Sequence, residues 1–176
     1  MALNSESGNI VLRLGILLYR VRDLLMACQE PIFGEYGITP EQYAVLASIK
    51  YLGGPVRISD LARGLERSPN SVSMIVDRMV KVGLVKRVRD RADRRVVYVT
   101  ATSKGENAFK RATLPGVEFI REILSPLSYE DKRTLTRLLE VVKYKALEYL
   151  NPGMDIAEIS KNSITNQADL FKRLTQ

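Results

Sequence analysis

The stretch from Ser68 to Gly83, SPNSVSMIVDRMVKVG, constrains what this chain can fold into more than any other. Ser68 offers a hydroxyl that can accept from an orphan N–H at a helix start, and Pro69 suits the first helical position, where no N–H is required. Val72, Ile75, Val76, Met79 and Val80 recur at i, i+3, i+4, i+7 and i+8, one apolar stripe, and Gly83 supplies the left-handed residue that ends a helix. The spacing predicts a helix whose opposite face, Asn70, Ser71, Met74, Asp77, Arg78 and Lys81 with Ser73 at its margin, stays open. Short donors and acceptors on the first turns, with cations further along, are what a major groove can admit and read. The same face would also suit a helix that is merely solvated, and the flanking residues decide between the two.

Upstream, Asn9 to Glu30 reads as a long helix with Ile10, Leu14, Leu17, Leu18, Val21, Leu24 and Leu25 on a broad apolar stripe, interrupted at Pro31 and the Gly34/Gly37 pair. Thr39-Pro40-Glu41-Gln42 has the form of a capping box and opens a second helix through Tyr43, Val45, Leu46 and Ile49, which Gly53-Gly54-Pro55 ends. A short third helix, Ile58 to Leu65, leads through a tight connection at Glu66-Arg67 into the Ser68 helix. Two short helices so joined, the second exposing small residues, make a helix-turn-helix.

From Leu84 to Ala101 the period changes. Val85, Val88, Val96, Val97, Tyr98 and Val99 favour strands on either side of a charged tip running from Arg89 to Arg95, which predicts a hairpin, or wing. Thr102 then caps a helix to about Leu124 that should kink at Pro115-Gly116. Ser128 to Asp131 form another capping box ahead of a helix with Leu135, Leu138, Leu139, Val142 and Ala146 on its apolar side, stopped by Asn151-Pro152-Gly153. Weak helical patterns around Ile156/Ile159 and Leu170/Phe171/Leu174 follow.

Charge is concentrated in one segment. Between Arg57 and Gly105 there are 12 Lys/Arg and 5 Asp/Glu, a net of +7, whereas the rest of the chain holds 15 of each. A basic segment in an otherwise neutral protein points to a polyanion, nucleic acid first. With no histidine and one cysteine there is no basis for a zinc site, an internal disulfide or a His-based catalytic triad, and no Walker loop or Ser-x-x-Lys pair occurs, so an enzyme is not expected. No apolar run approaches a membrane span and no cleavage site follows Ile10–Leu18, so the expectation is a cytoplasmic protein with no membrane partner.

The order helix, helix, short helix, recognition helix, wing and two long helices resembles the MarR family of winged helix-turn-helix regulators over residues 10 to 150. The resemblance is carried by ISDLARGL (58 to 65), SVSMIVDRMVKVGLVKR (71 to 87), Asp93-Arg94-Arg95 and Thr102-Ser103-Lys104-Gly105, with Ala101 standing where the family usually has leucine. The fold class expected is mainly α with a small β-hairpin wing. Residues 1–38 and 102–150 would form a helical dimerisation region, 39–101 the winged DNA-binding lobe, and 151–176 an extension on which the resemblance is silent. The resemblance implies a homodimer on a palindromic operator in double-stranded DNA, acting as a repressor and released by a small, often aromatic, effector; no cofactor is implied. The wide apolar stripes of the outer helices independently favour self-association.

The residues expected at the DNA are Ser68, Asn70, Ser71, Ser73, Met74 and Arg78 on the helix, and Arg89, Arg91, Arg94 and Arg95 on the wing. A narrow tip can approach the minor groove, where an inserted arginine is favoured. Asp93, two residues before Arg95, can accept from that guanidinium and fix its direction; Arg95 is then the inserted side chain, as the family pattern also implies, and Arg94 takes a phosphate. Cys28 is a candidate redox sensor only by analogy with family members, since no cation falls at i±3 or i±4 to activate it, and a lone thiol more often packs as a small hydrophobe. A winged-helix module for protein–protein contact is the other reading, which salt-dependent duplex binding would separate.

Overall fold

The computed structural model describes residues 5–90, 93, 96–153 and 155. Among these residues six helices and a three-stranded antiparallel sheet follow in the order α1 (Ser5–Gly34), α2 (Pro40–Leu52), β1 (Val56–Arg57), α3 (Ile58–Gly64), α4 (Pro69–Lys81), β2 (Val85–Arg89), β3 (Val97–Ala101), α5 (Ser103–Ile123) and α6 (Tyr129–Leu150). The sheet order is β1-β3-β2. Residues 154 and 156–176, which include the weak helical patterns near the C-terminus, lie outside the described residues.

Helix starts follow the capping chemistry. Thr39 and Gln42 form the reciprocal box at α2, Ser128 and Asp131 the one at α6, and Ser68 and Thr102 each accept from the N–H three residues on. Helix ends were less predictable. Helix α1 is not interrupted at Pro31 but runs through it to Gly34, because Pro31 sits in the last turn and only one hydrogen bond is forgone there. Pro115 lies within an unbroken α5.

Three helices end in the same turn. In each, the residue two past the cap position gives its N–H to a carbonyl five back, and the residue before it adopts positive φ. Ile38 donates to Phe33, Leu84 to Met79 and Arg67 to Ala62. The positive-φ residues are Gly37 (71°), Gly83 (74°) and, at the end of α3, Glu66 (53°). A side chain in that region costs about 1 to 2 kcal/mol.

One core joins all of this. Val72, Ile75, Val76 and Met79 of α4 pack with Val45, Leu46 and Ile49 of α2, Leu61 and Ala62 of α3, Leu84 just ahead of β2, Val85 and Val99 of the sheet, and Phe109 and Ala112 of α5. Val80, expected in the buried stripe, is instead 38% exposed at the end of the helix. Strand β1, too short to show a period, pairs Val56 with Val99 and Arg57 with Tyr98, and so closes the lobe between α2 and α3. The apolar faces of α1 and α6 are in the opposite condition. Leu14, Leu17, Leu18, Val21 and Leu24 of α1, and Leu135, Leu138, Leu139 and Val142 of α6, are exposed on the single chain.

Candidate nucleic-acid interface

Helix α4 presents the face its sequence implied. Asn70, Ser71, Met74, Asp77, Arg78 and Lys81 are exposed and Ser73 is half-buried at the margin. Ser68 Oγ accepts from Ser71 N at 3.2 Å and shares a second hydrogen bond with Ser71 Oγ at 2.9 Å. Ser68 is thus the helix cap, and the serine pair leaves Asn70 and Met74 as exposed groups of the first turns with no such internal bond among the described residues. Arg78 lies along its own helix, Nε donating to Met74 O at 3.4 Å. It must uncoil to reach a base or phosphate.

The wing is a regular hairpin. Strands β2 and β3 pair from Val85 with Ala101 to Arg89 with Val97. Beyond them the Asp90 N–H donates to Val96 O, the Val96 N–H to Asp93 O, and the Asp93 N–H to Asp90 Oδ1 at 3.0 Å. Asp90, read from the sequence only as part of the charged tip, is therefore an acid that shapes the tip by accepting from the N–H three residues on. Arg89 is exposed at the strand end. Arg91, Arg94 and Arg95 lie outside the described residues, and with them the Asp93–Arg95 arrangement.

A second residue the sequence reading missed is Arg87. From β2 its guanidinium meets Asp77 Oδ1 at 2.7 Å and donates to Ser73 Oγ at 3.5 Å, tying wing to recognition helix. The available signal was Asp77 itself, an acid on a face otherwise suited to DNA. The Thr102–Gly105 motif makes the corresponding joint behind. Thr102 Oγ1 donates to Gly83 O at 2.6 Å and accepts from Gly105 N, while Lys104 Nζ reaches Val82 O at 2.8 Å. A Cβ on Gly105 would stand 2.1 Å from the Leu84 carbonyl oxygen, so only glycine lets α5 start there.

Two cavities flank the lobe. One, of about 420 Å³, lies between α1, α2 and α5, lined by Met26, Phe33, Tyr43, Val117 and Ile120 among others, with Glu41 and Arg67 paired in its wall at 2.9 Å. The other, about 680 Å³, lies between α2, β3 and α5 and takes in Ala101, Phe109 and Thr113. Between them stands an aromatic stack, Phe33 on Tyr43 at 4.7 Å and Tyr43 on Phe109 at 5.2 Å. Burial pushes the Tyr43 phenol above its ordinary pKa against the opposing hydrogen bond to Thr113, so it stays a neutral donor to Thr113 Oγ1. Cys28 is exposed on the single chain rather than packed as a small hydrophobe. Among the described residues no set of acidic or thiol side chains converges as for a metal, and no helix is long and apolar enough to cross a membrane.

A capped helix with a small polar outer face, carried behind a short helix and flanked by a basic hairpin, defines a winged helix-turn-helix protein. Residues 36–96 match the sequence profile described as MarR family. The chain is 30% identical over 124 residues to the HTH-type transcriptional regulator PecS of Dickeya dadantii (strain 3937), covering 69% of this chain and 75% of that protein. It is 28% identical over 124 residues to the HTH-type transcriptional repressor MdtR of Bacillus subtilis (strain 168), covering 70% and 77%. Among solved structures, a mutant MarR from E. coli complexed with operator DNA matches with a TM-score of 0.69 at 26% identity, over 76% of this chain and 96% of that one. The chain belongs to the MarR family of transcription regulators.

Proposed function

We propose that this protein is a cytoplasmic homodimeric repressor that reads a palindromic operator in double-stranded DNA and is released by a small-molecule effector. The observation that carries the reading is the division of the surface: an open polar face on α4 beside the wing, and large unpaired apolar faces on α1 and α6. The MarR–operator complex supports DNA as the ligand of the first, and MdtR supports repression as the output. Two recognition helices held by a two-fold axis reach half-sites roughly 10 bp apart.

In this reading Asn70 and Met74 meet base edges, Met74 being suited to a thymine methyl. Ser68, Ser71, Ser73 and Arg78 take phosphates or the margin of the groove. Arg89, Arg91 and Arg94 hold the backbone, and Arg95, aimed by Asp93, enters the minor groove. The 420 Å³ cavity is the effector site, because it lies where α1 and α5 meet the lobe and because Arg67 in its wall immediately precedes Ser68.

The test is selection of bound duplexes from a random pool, sedimentation of the complex, and release by a panel of small aromatic acids. An imperfect palindrome bound by two copies is expected. A monomer at micromolar concentration, or a single unrepeated half-site, would refute the reading. Leu17→Glu or Leu139→Glu should weaken self-association and DNA affinity together.

A further inference from the structure

Glu66 stands where the other two turns of its kind carry glycine. Gly37 closes α1 and Gly83 closes α4 with the same pair of hydrogen bonds and the same positive φ. At the end of α3 a residue with a Cβ is held in that conformation instead. A strained non-glycine residue persists where the surroundings hold it there, and such strain gathers at functional positions. Its side chain shows what it does. Glu66 Oε1 lies 3.3 Å from Lys143 Nζ, and the two side chains are only 20% and 23% exposed, which sets this pair apart from the surface pairs of α6 such as Lys145–Glu148. Lys143 belongs to α6, whose apolar face lies on the self-association surface, and the pair joins that helix to the turn of the helix-turn-helix. The next residue, Arg67, binds Glu41 of α2 at 2.9 Å, and the one after it, Ser68, caps the recognition helix. Two ion pairs thus grip the two residues from which α4 departs, one from α6 and one from α2.

We propose that Glu66 and Lys143 are positioning residues: their ion pair fixes the attitude of the recognition helix relative to the dimerisation helix and thereby sets the spacing of half-sites the dimer accepts. The proposal rests on the dimeric DNA-reading function above. Glycine at position 66 would close α3 with less strain but would leave the turn untied to α6. The helix would then leave its turn at a less defined angle, and two such helices would meet DNA with a broader spread of separations. Neither residue needs to touch DNA for this.

The experiment compares the full-length parent with Glu66→Gly, Lys143→Met and the exchanged pair Glu66→Lys/Lys143→Glu. Thermal melting, amide hydrogen exchange over residues 66–72, and binding are measured, the last on the duplex the parent selects and on versions with one base pair added or removed between half-sites. Glu66→Gly should melt no lower than the parent, since strain is relieved as a contact is lost. It should nevertheless exchange faster at the start of α4, bind the selected duplex about tenfold more weakly, in the range of coupling between sites, and discriminate less among spacings. Lys143→Met should show the same faster exchange and flattened spacing preference, and the exchanged pair should recover part of both. Parent-like exchange and spacing preference in Glu66→Gly and Lys143→Met overturn the proposal. A uniform loss on all spacings overturns it too, since that marks a direct DNA contact. If the parent selects no duplex, the DNA-reading function fails while hydrogen exchange in the free protein still decides the clamp.

Discussion

Arg87 of β2 and Asp77 of α4 stand 2.7 Å apart across the junction of wing and recognition helix, so an acid on the reading face is there to hold an arginine of the wing. Counting charges predicts tighter DNA binding when Asp77 is removed. We expect the reverse: Asp77→Ala frees Arg87 and loosens the angle between wing and helix, weakening binding to the preferred duplex by about 1 kcal/mol. Arg87→Met should do the same. The pair is substantially exposed, so folding stability should move by less than about 1 kcal/mol in either variant. Competition titrations against the selected duplex, paired with denaturant midpoints, check both halves.

Gly105→Ala should be among the most damaging single-methyl changes available. The added Cβ meets the Leu84 backbone carbonyl oxygen at 2.1 Å, and that carbonyl is held in place by the N–H and hydroxyl of Thr102. A loss of about 2 to 4 kcal/mol in urea unfolding is expected. Gly116→Ala meets the end of the Phe33 ring at 2.9 Å, which can rotate away in part, so about 1 to 2 kcal/mol is expected there.

Ser48 is fully buried on α2, and its hydroxyl has no hydrogen-bond partner among the described residues. Burying such a group unpaired is unfavourable, and alanine is nearly the same size. Ser48→Ala should therefore stabilise the lobe by about 1 kcal/mol, read as a rise in melting temperature. A fall would mean that the hydroxyl is satisfied in solution.

Asp131 carries the acid dependence of the α6 cap. Hydrogen bonds from the Ser128 side chain and then its backbone hold the carboxyl below its ordinary pKa. A depressed folded-state pKa contributes stability that is present above the unfolded value and lost as pH falls through the folded one. Asp131→Asn should flatten the acid limb of stability, visible in urea midpoints taken from about pH 6 to about pH 3, and leave its DNA binding at neutral pH unchanged.

Asn70→Ala should cost about 1 to 3 kcal/mol on the preferred duplex and little on random DNA if the amide reads a base. Equal loss on both would make it a backbone contact.

Much of the lobe was legible because its signals are local. The α4 stripe, the four caps and the glycine turns each depend on residues within one or two helical turns of one another, and a period or a cap hydroxyl announces them. What escaped depends on distant partners or on position within an element. Strand β1 consists of two residues and exists only because β3 comes beside it. Pro31 does not end α1, since its place in the last turn, not its identity, decides. Val80 fits the period yet lies at the edge of the stripe, exposed although Met79 beside it is fully buried. Glu66 and Arg87 read as ordinary surface charges until the structure places Lys143 and Asp77 beside them.

The joint at Leu84 has a mechanical consequence. Its carbonyl oxygen receives both the N–H and the hydroxyl of Thr102, the neighbouring Gly83 carbonyl receives that hydroxyl as well, and Lys104 takes the Val82 carbonyl. The foot of the recognition helix, the root of the wing and the head of α5 are thereby riveted into a single piece. A torque applied at the head of α5 would turn helix and wing as a unit instead of bending one away from the other, so in the proposed dimer a modest rotation between the two copies would lift both from the duplex in the same stroke.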